Sequence, residues 1–305
     1  MPWTIADISP QYSKLALVTG ANSGIGWHTA LELARAGCEV ILAARSQEKG
    51  RESVERIRRE LPQAKVRAEI LDLASLRSIR ALAAKIEEQP KLDLLLNNAG
   101  VMALPTRELT ENGFERQLGV NFLGHFALTA LLLPTLLRAR APRVTTVSSV
   151  AANMRMKRID FDDLQAERAY DAWNAYSQSK LADLMFALDL SRRLVKKNYS
   201  LLSNAAHPGY ALTNLFTSGP GKPLGLGQKF LFKIAGQDAA HGALPLLRAA
   251  TDIDAEPASY YGPERFFHLK GDPVPVPIPK PARDEAAAKK LWETAESLTH
   301  VYFPL

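Results

Sequence analysis

The chain has 305 residues, 47% of them hydrophobic and 23% charged, with a formal net charge of +6. That balance supports a large buried core and excludes extended disorder. The lone Cys38 excludes an intramolecular disulfide, and the scattered basic residues come with no nucleic-acid reading motif, so no nucleic-acid partner is expected.

The opening stretch MPWTIADISPQ lacks the basic and apolar regions of a signal peptide. The longest apolar stretch, Phe122–Leu137, contains His125 and Pro134 and reads as too short for an integral membrane span. A cytoplasmic protein is expected, with Cys38 as a small buried hydrophobe.

The first predicted strand, Leu15–Thr19, runs straight into Gly20-Ala21-Asn22-Ser23-Gly24-Ile25-Gly26, which opens a helix over Gly26–Ala36. Glycines there let the backbone turn tightly and approach a pyrophosphate, and the helix N-terminus offers N–H groups to it. A plain βα turn would use the same residues. The second strand, Glu39–Ala43, ends in Ala44-Arg45. A carboxylate at this point would suit the ribose of NAD(H). An arginine suits the 2′-phosphate of NADP(H), with Lys49 or Arg51 assisting, so NADP(H) is favoured over NAD(H).

A helix follows over Glu48–Glu60, then a strand over Lys65–Leu71 and Asp72-Leu73. Asp72 suits the adenine amino group or a cap of the next helix, Leu76–Glu87, although Ser75 fills the capping role better. The fourth strand, Leu92–Leu96, leads into Asn97-Asn98-Ala99-Gly100, a segment suited to backbone contact with a ribose. Gly113–Leu137 reads as one helix in which Asn121 needs a polar partner. The strand Arg143–Ser148 ends in Ser148-Ser149, where a hydroxyl can donate to a substrate oxygen or cap a turn.

A helix-like run begins at Tyr176 and extends to Lys197, with Tyr176 and Lys180 on one face. A free phenol has a pKa of about 10, and a nearby ammonium favours its ionised form. Leu201–His207 is the last predicted strand. Residues Thr213–Gln228 read as a mobile loop, and Leu231–Ile234 and Ala239–Ala250 as helices. Pro273–Pro281 is expected as an extended arm, followed by a helix over Asp284–Leu298. Strands alternating with helices predict an α/β fold, a Rossmann-like doubly wound parallel sheet with helices on both faces. It is expected as a single domain: a core over 14–212, a substrate lid region over 213–250 and a C-terminal extension over 251–305.

Thr19-Gly20-(x)3-Gly24-Ile25-Gly26, Asp72, Asn97-Asn98-Ala99-Gly100, Asn121, Ser149, Tyr176-(x)3-Lys180 and Pro208-Gly209 together resemble the short-chain dehydrogenase/reductase family. The flanks, including Ser179-Lys180-Leu181-Ala182 and Tyr260-Tyr261-Gly262-Pro263, are most similar to its retinol-dehydrogenase-like branch. The resemblance implies that Tyr176 is the general acid or base, that Ser149 polarises the carbonyl and that Lys180 holds the nicotinamide ribose. It implies that Asn121 positions a water, and that Pro208, Gly209 and Thr213 line the nicotinamide. The long insert Ala152–Asn174 brings Met154, Met156, Phe161, Tyr170 and Trp173, as core packing or as a pocket wall. Leu215, Phe216, Leu224, Leu226, Phe230, Leu231 and Phe232 suggest a greasy lid, a lipid contact or a subunit contact. The expected substrate is a small apolar carbonyl or alcohol. No metal site is expected, and homo-oligomer formation stays open. The rival readings are a non-catalytic NADP-binding sensor and a sugar-nucleotide epimerase or dehydratase.

Overall fold

In a computed structural model, which describes residues 2–210 and 236–305, eight strands form one sheet in the order β3-β2-β1-β4-β5-β6-β7-β8. The first six are β1 (Leu15–Thr19), β2 (Glu39–Ala44), β3 (Val66–Ile70), β4 (Leu94–Asn97), β5 (Arg143–Val147) and β6 (Leu202–Ala206). They match the apolar runs of the sequence to within two residues. All of them, and β7 (Tyr260–Arg265), pair in parallel.

Strand periodicity splits the core in two. Leu17, Ile41, Leu95 and Val144 face α3 (Leu76–Glu87), α4 (Gly124–Leu137) and α5 (Ala172–Lys196). Ala16, Val18, Val40, Leu42 and Leu96 face α1 (Gly24–Arg35), α2 (Gln47–Glu60) and α6 (Ala239–Thr251). Strands covered on both faces need no polar alternation, which is why they read as continuous apolar runs.

Three expectations need correction. β7 and β8 (Lys270–Pro275) were not foreseen. β8 runs antiparallel to β7 and takes up the first part of the proline-rich segment. Proline is tolerated there because β8 is the sheet edge, where one row of N–H groups has no ladder partner. Next, α5 begins at Ala172, four residues before Tyr176. Asp171 caps it by accepting from the backbone N–H groups of Trp173 and Asn174. Tyr176 therefore sits in a formed turn, not at a frayed end.

Third, the single helix expected over 113–137 is a π-helical turn (Leu118–Leu123) leading into α4. The combined segment Leu118–Leu137 has mean hydropathy 1.7 over its most apolar window, so by length and composition it could cross a bilayer, contrary to the expectation. That window is 83% buried inside the protein.

The last helix, α7 (Glu285–Thr299), packs on α5 and α4 through aromatic rings. Trp292 lies 4.4 Å from Phe303, and Phe303 lies 4.9 Å from Phe126 (ring centroids). Phe122 and Phe186 complete the cluster. The chain after 251 thus braces the helices that carry Asn121, Tyr176 and Lys180.

Candidate active site

Strand order reverses between β1 and β4, and parallel sheets open their ligand crevice at the C-terminal ends of such strands. Gly20 (φ +66°) and Gly24 (φ +55°) adopt left-handed backbone that side chains disfavour. A Cβ on Gly26 would stand 2.5 Å from both the Gly20 carbonyl oxygen and Asn98 Nδ2. Only glycine lets the turn stack this closely on the loop after β4. Ser23 occupies the N-cap of α1 without a side-chain capping bond, so its hydroxyl does not cover the first-turn N–H groups of Gly24, Ile25 and Gly26. The Asn22 carbonyl accepts from Ser53 Oγ at 3.0 Å, which ties the turn to α2.

Arg45 is exposed immediately after β2, and no carboxylate stands at that strand end. Asp72 Oδ1 accepts from Ala74 N at 3.0 Å, while Ser75 caps α3, as expected. Leu73 is buried, and its carbonyl oxygen would be 2.7 Å from a Cβ on Gly124.

The loop after β4 is held by Thr19. Its hydroxyl oxygen accepts from Asn98 N and Ala99 N, each at 2.9 Å, and its carbonyl accepts from Asn98 Nδ2 at 2.7 Å. The same hydroxyl lies 2.9 Å from His125 Nε2. His125 Nδ1 lies 2.7 Å from the Asn121 carbonyl, which can only accept, so Nδ1 carries the proton and Nε2 accepts from Thr19. Burial holds His125 neutral, with its pKa pushed down to about 3. The sequence reading missed this role; a histidine inside an apolar helix was its only signal.

Asn121 lies in the π-helical turn, a distortion that often marks functional sites. Its Oδ1 accepts from Val101 N at 2.8 Å, and its Nδ2 donates to Val101 O and to Ser179 Oγ. The amide is therefore fully used in joining the loop after β4 to α5. A Cβ on Gly100 would meet Asn121 Oδ1 at 3.2 Å and Lys180 Nζ at 3.7 Å.

Lys180 Nζ donates to the Val147 carbonyl at 2.9 Å and to Asp183 Oδ2 at 2.8 Å. Burial alone would lower the Lys180 pKa, but Asp183 and Tyr176 together outweigh it and the net shift is upward. Burial pushes Asp183 up to about 6 against the pull of Lys180. Tyr176 is 6% exposed and packs with Met102 and Ala151. Ser149 lies between Val147, which holds Lys180, and Ala151, which packs on Tyr176. Its Oγ accepts from Ala151 N at 3.2 Å, so it caps a turn while its own proton remains to be donated.

The insert divides by role. Tyr170 donates to the Leu104 carbonyl at 2.8 Å and is a bracing residue. Burial pushes its phenol up to about 12. Met156 and Phe161 pack on the core, and Met154 is exposed. Trp173 lies edge-on to Tyr176, with ring centroids 6.1 Å apart. Gly209 (φ +64°) is pressed against the β7–β8 hairpin, where a Cβ would stand 2.3 Å from the Leu269 carbonyl oxygen. Gln237 Nε2 donates to the Pro208 carbonyl at 2.8 Å. Thr213, the loop expected over 213–228 and the helix expected over 231–234 lie outside the described residues.

The family model for short chain dehydrogenases matches residues 14–161. Human retinol dehydrogenase 13 is 42% identical over 299 residues, which span 95% of this chain and 86% of that protein. The chain belongs to the short-chain dehydrogenase family. Within it, this dehydrogenase falls in the retinol-dehydrogenase-like branch and is an oxidoreductase. Polyprenol dehydrogenase of Mus musculus is 39% identical, over 96% of this chain and 85% of that one. A solved structure of an uncharacterized Mycobacterium paratuberculosis protein superposes with TM-score 0.83 at 40% identity, each chain covered completely. A Shigella flexneri short chain dehydrogenase solved in complex with NADP gives TM-score 0.63 at 27% identity, over 82% of this chain and 96% of that one.

Proposed function

We propose that this dehydrogenase uses NADP(H) to interconvert an apolar ketone or aldehyde and its alcohol. The observation that carries the reading is that Lys180 Nζ reaches Gly100 after β4 and Val147 on β5, while Tyr176, one turn earlier on α5, packs on Met102 and Ala151 beside Ser149. The glycine cradle fits a dinucleotide: the clearances at Gly20 and Gly26 leave no room for a Cβ, and that at Gly100 is tight. The first-turn N–H groups of Ser23-Gly24-Ile25-Gly26, with Asn22, suit the pyrophosphate, and Arg45 suits a 2′-phosphate. Asp72 and Leu73 would border the adenine, and Asn98, Ala99 and Gly100 a ribose. Pro208 and Gly209 would lie along the nicotinamide.

When bound, the cofactor supplies or removes the hydride. In reduction, Ser149 donates a hydrogen bond to the carbonyl oxygen, and Tyr176 delivers the proton as charge develops there. In oxidation, Tyr176 takes that proton back. Two of the three Lys180 donors are used within the protein, which leaves the third for a ribose hydroxyl. The Asn121 carbonyl, which accepts from His125, has a second lone pair for a water. Met102, Ala151 and Trp173 give the surroundings of Tyr176 an apolar lining. The test is an NADPH-oxidation screen against apolar aldehydes and ketones, with NADH in parallel. Turnover with NADPH supports the reading; binding of NADPH without turnover of any carbonyl defeats it.

A further inference from the structure

The hairpin that joins β7 to β8 turns its apolar side chains outward. Phe267 is 95% exposed and Phe266 56%, while Tyr260, Tyr261, Gly262 and Pro263 just before them are buried. Phe266, Phe267 and His268 all adopt left-handed backbone, with φ of 51°, 57° and 65°. Residues with a side chain disfavour that region, and such a run persists only where its surroundings fix it. Here Leu269 N donates to the carbonyls of Arg265 and Phe266, and His268 Nδ1 lies 2.9 Å from the Pro263 carbonyl. Two phenyl rings are thus held in water by a disfavoured backbone, an arrangement that folding stability does not reward.

The rings stand at the rim of the crevice. β5, β6 and β7 are parallel neighbours, so the tip after β7 lies at the same edge of the sheet as Ser149 after β5 and Pro208-Gly209 after β6. The Leu269 carbonyl accepts from Tyr210 N at 2.8 Å, which fastens the tip to that segment. The chain after β5 exposes Met154 on the same rim, and strands about 4.8 Å apart put β5 and β7 roughly 10 Å from each other.

The chemistry of the rim selects its occupant. In the hairpin, Glu264 and Asp272 balance Arg265 and Lys270. In the loop after β5, Asp160, Asp162 and Asp163 balance Arg155, Lys157 and Arg158. A balanced rim offers no field to draw a polyanion. Two rings of about 150–250 Å² each also fall short of the roughly 800 Å² that a stable protein contact buries on one side. Exposed rings at a narrow tip suit the boundary between headgroups and acyl chains of a bilayer.

We propose that Phe266 and Phe267 form an insertion tip that docks this edge of the sheet on a lipid bilayer, with the crevice rim toward the headgroups. On the oxidoreductase reading above, an apolar substrate then passes from the bilayer to the crevice with little exposure to water.

Phe266→Asn combined with Phe267→Asn removes both rings and suits left-handed backbone, so the melting temperature should not fall. The readout is co-sedimentation with phosphatidylcholine vesicles, with and without phosphatidylserine. Wild type is expected to bind both. The double variant should lose affinity by on the order of tenfold for each ring. Wild type that stays in solution overturns the proposal. So does a variant that binds as well as wild type, or binding that needs phosphatidylserine and ignores the rings. A wild-type dimer that the two substitutions dissociate, without vesicle binding, overturns it too and assigns the rings to a second copy.

A second measurement needs one substitution. Phe267→Cys can carry an environment-sensitive dye, because Cys38 is 1% exposed and burial pushes its thiol up to about 12, which leaves it unreactive. Vesicles should shift the dye emission to the blue, and unchanged emission overturns the proposal. Neither readout requires turnover, so failure of the carbonyl screen and failure of docking are told apart.

Discussion

The Thr19 hydroxyl, at the end of β1, lies 2.9 Å from His125 Nε2 on α4, and this contact joins the cofactor-side turn to the helix that carries Asn121. One side chain thereby holds two things: the backbone of Asn98 and Ala99 and the approach of α4. Thr19→Val keeps the shape but removes the acceptor of the part-buried Ala99 N–H and the donor to His125 Nε2, while Asn98 N keeps the Leu96 carbonyl. A loss of about 1–3 kcal/mol per group is expected. Thermal unfolding and NADPH titration should both register it, and an unchanged melting temperature would show that the network is not structural.

Tyr176→Phe removes the proposed proton donor and little volume. A drop in kcat of about 10²–10⁴-fold is expected, with the NADPH Kd within a few-fold of wild type. Single-turnover measurements separate the two. Unchanged turnover would falsify the acid–base role of Tyr176.

Arg45 stands exposed where an acid would favour NAD(H). Arg45→Asp removes a charge-assisted phosphate contact and adds a repulsive one. The ratio of kcat/KM for NADPH over NADH should fall by tenfold or more, since 1.4 kcal/mol suffices for that. An unaltered ratio takes Arg45 out of the 2′-phosphate site.

Gly262 on β7 lies against His207, where a Cβ would stand 2.0 Å from the imidazole Nε2. His207 is buried, and its Nδ1 accepts from Gly209 N at 3.2 Å, so a displaced ring would carry the Pro208-Gly209 segment with it. Gly262→Ala is expected to cost about 1–3 kcal/mol of stability and to raise the cofactor KM. Equal unfolding curves for variant and wild type would contradict this packing.

Acid should weaken the fold. Burial pushes His125 and His207 both down to about 3, so each contributes stability that is present above pH 6.5 and lost as pH falls toward 3. The slope is roughly 1.4 kcal/mol per pH unit for each histidine. Asp183, raised from 3.8 to about 6, acts in the opposite sense: its contribution is present below 3.8 and lost as pH rises through 6. Two histidines outweigh one carboxyl between those limits. Urea midpoints measured from pH 7 to pH 5 should therefore decrease, and a flat series would mean that the imidazoles are solvated.

Strand and helix alternation, the turn at Gly20–Gly26 and the Tyr176/Lys180 pair were legible because each is local. A run of apolar residues, a set of glycines or an i, i+4 spacing carries its meaning within one element. The same locality explains what was missed. β7 and β8 exist because an edge of an already formed sheet accepts a proline-bearing strand, which no window of PVPVPIPKP announces. His125 looked like an interruption of an apolar helix until Thr19, 106 residues away, came within bonding distance.

By itself the sequence determined the order of the first six strands and the helices between them, and the turn where only glycine can pass. Tertiary structure alone decided which charges face one another. Lys180 and Asp183 share a helix face in any helix, but their exclusion from water, and hence the strength of their coupling, comes from the elements packed on α5, among them β5, whose Val147 carbonyl accepts from Lys180. Burial is a property of the assembled layers, and no residue carries it alone.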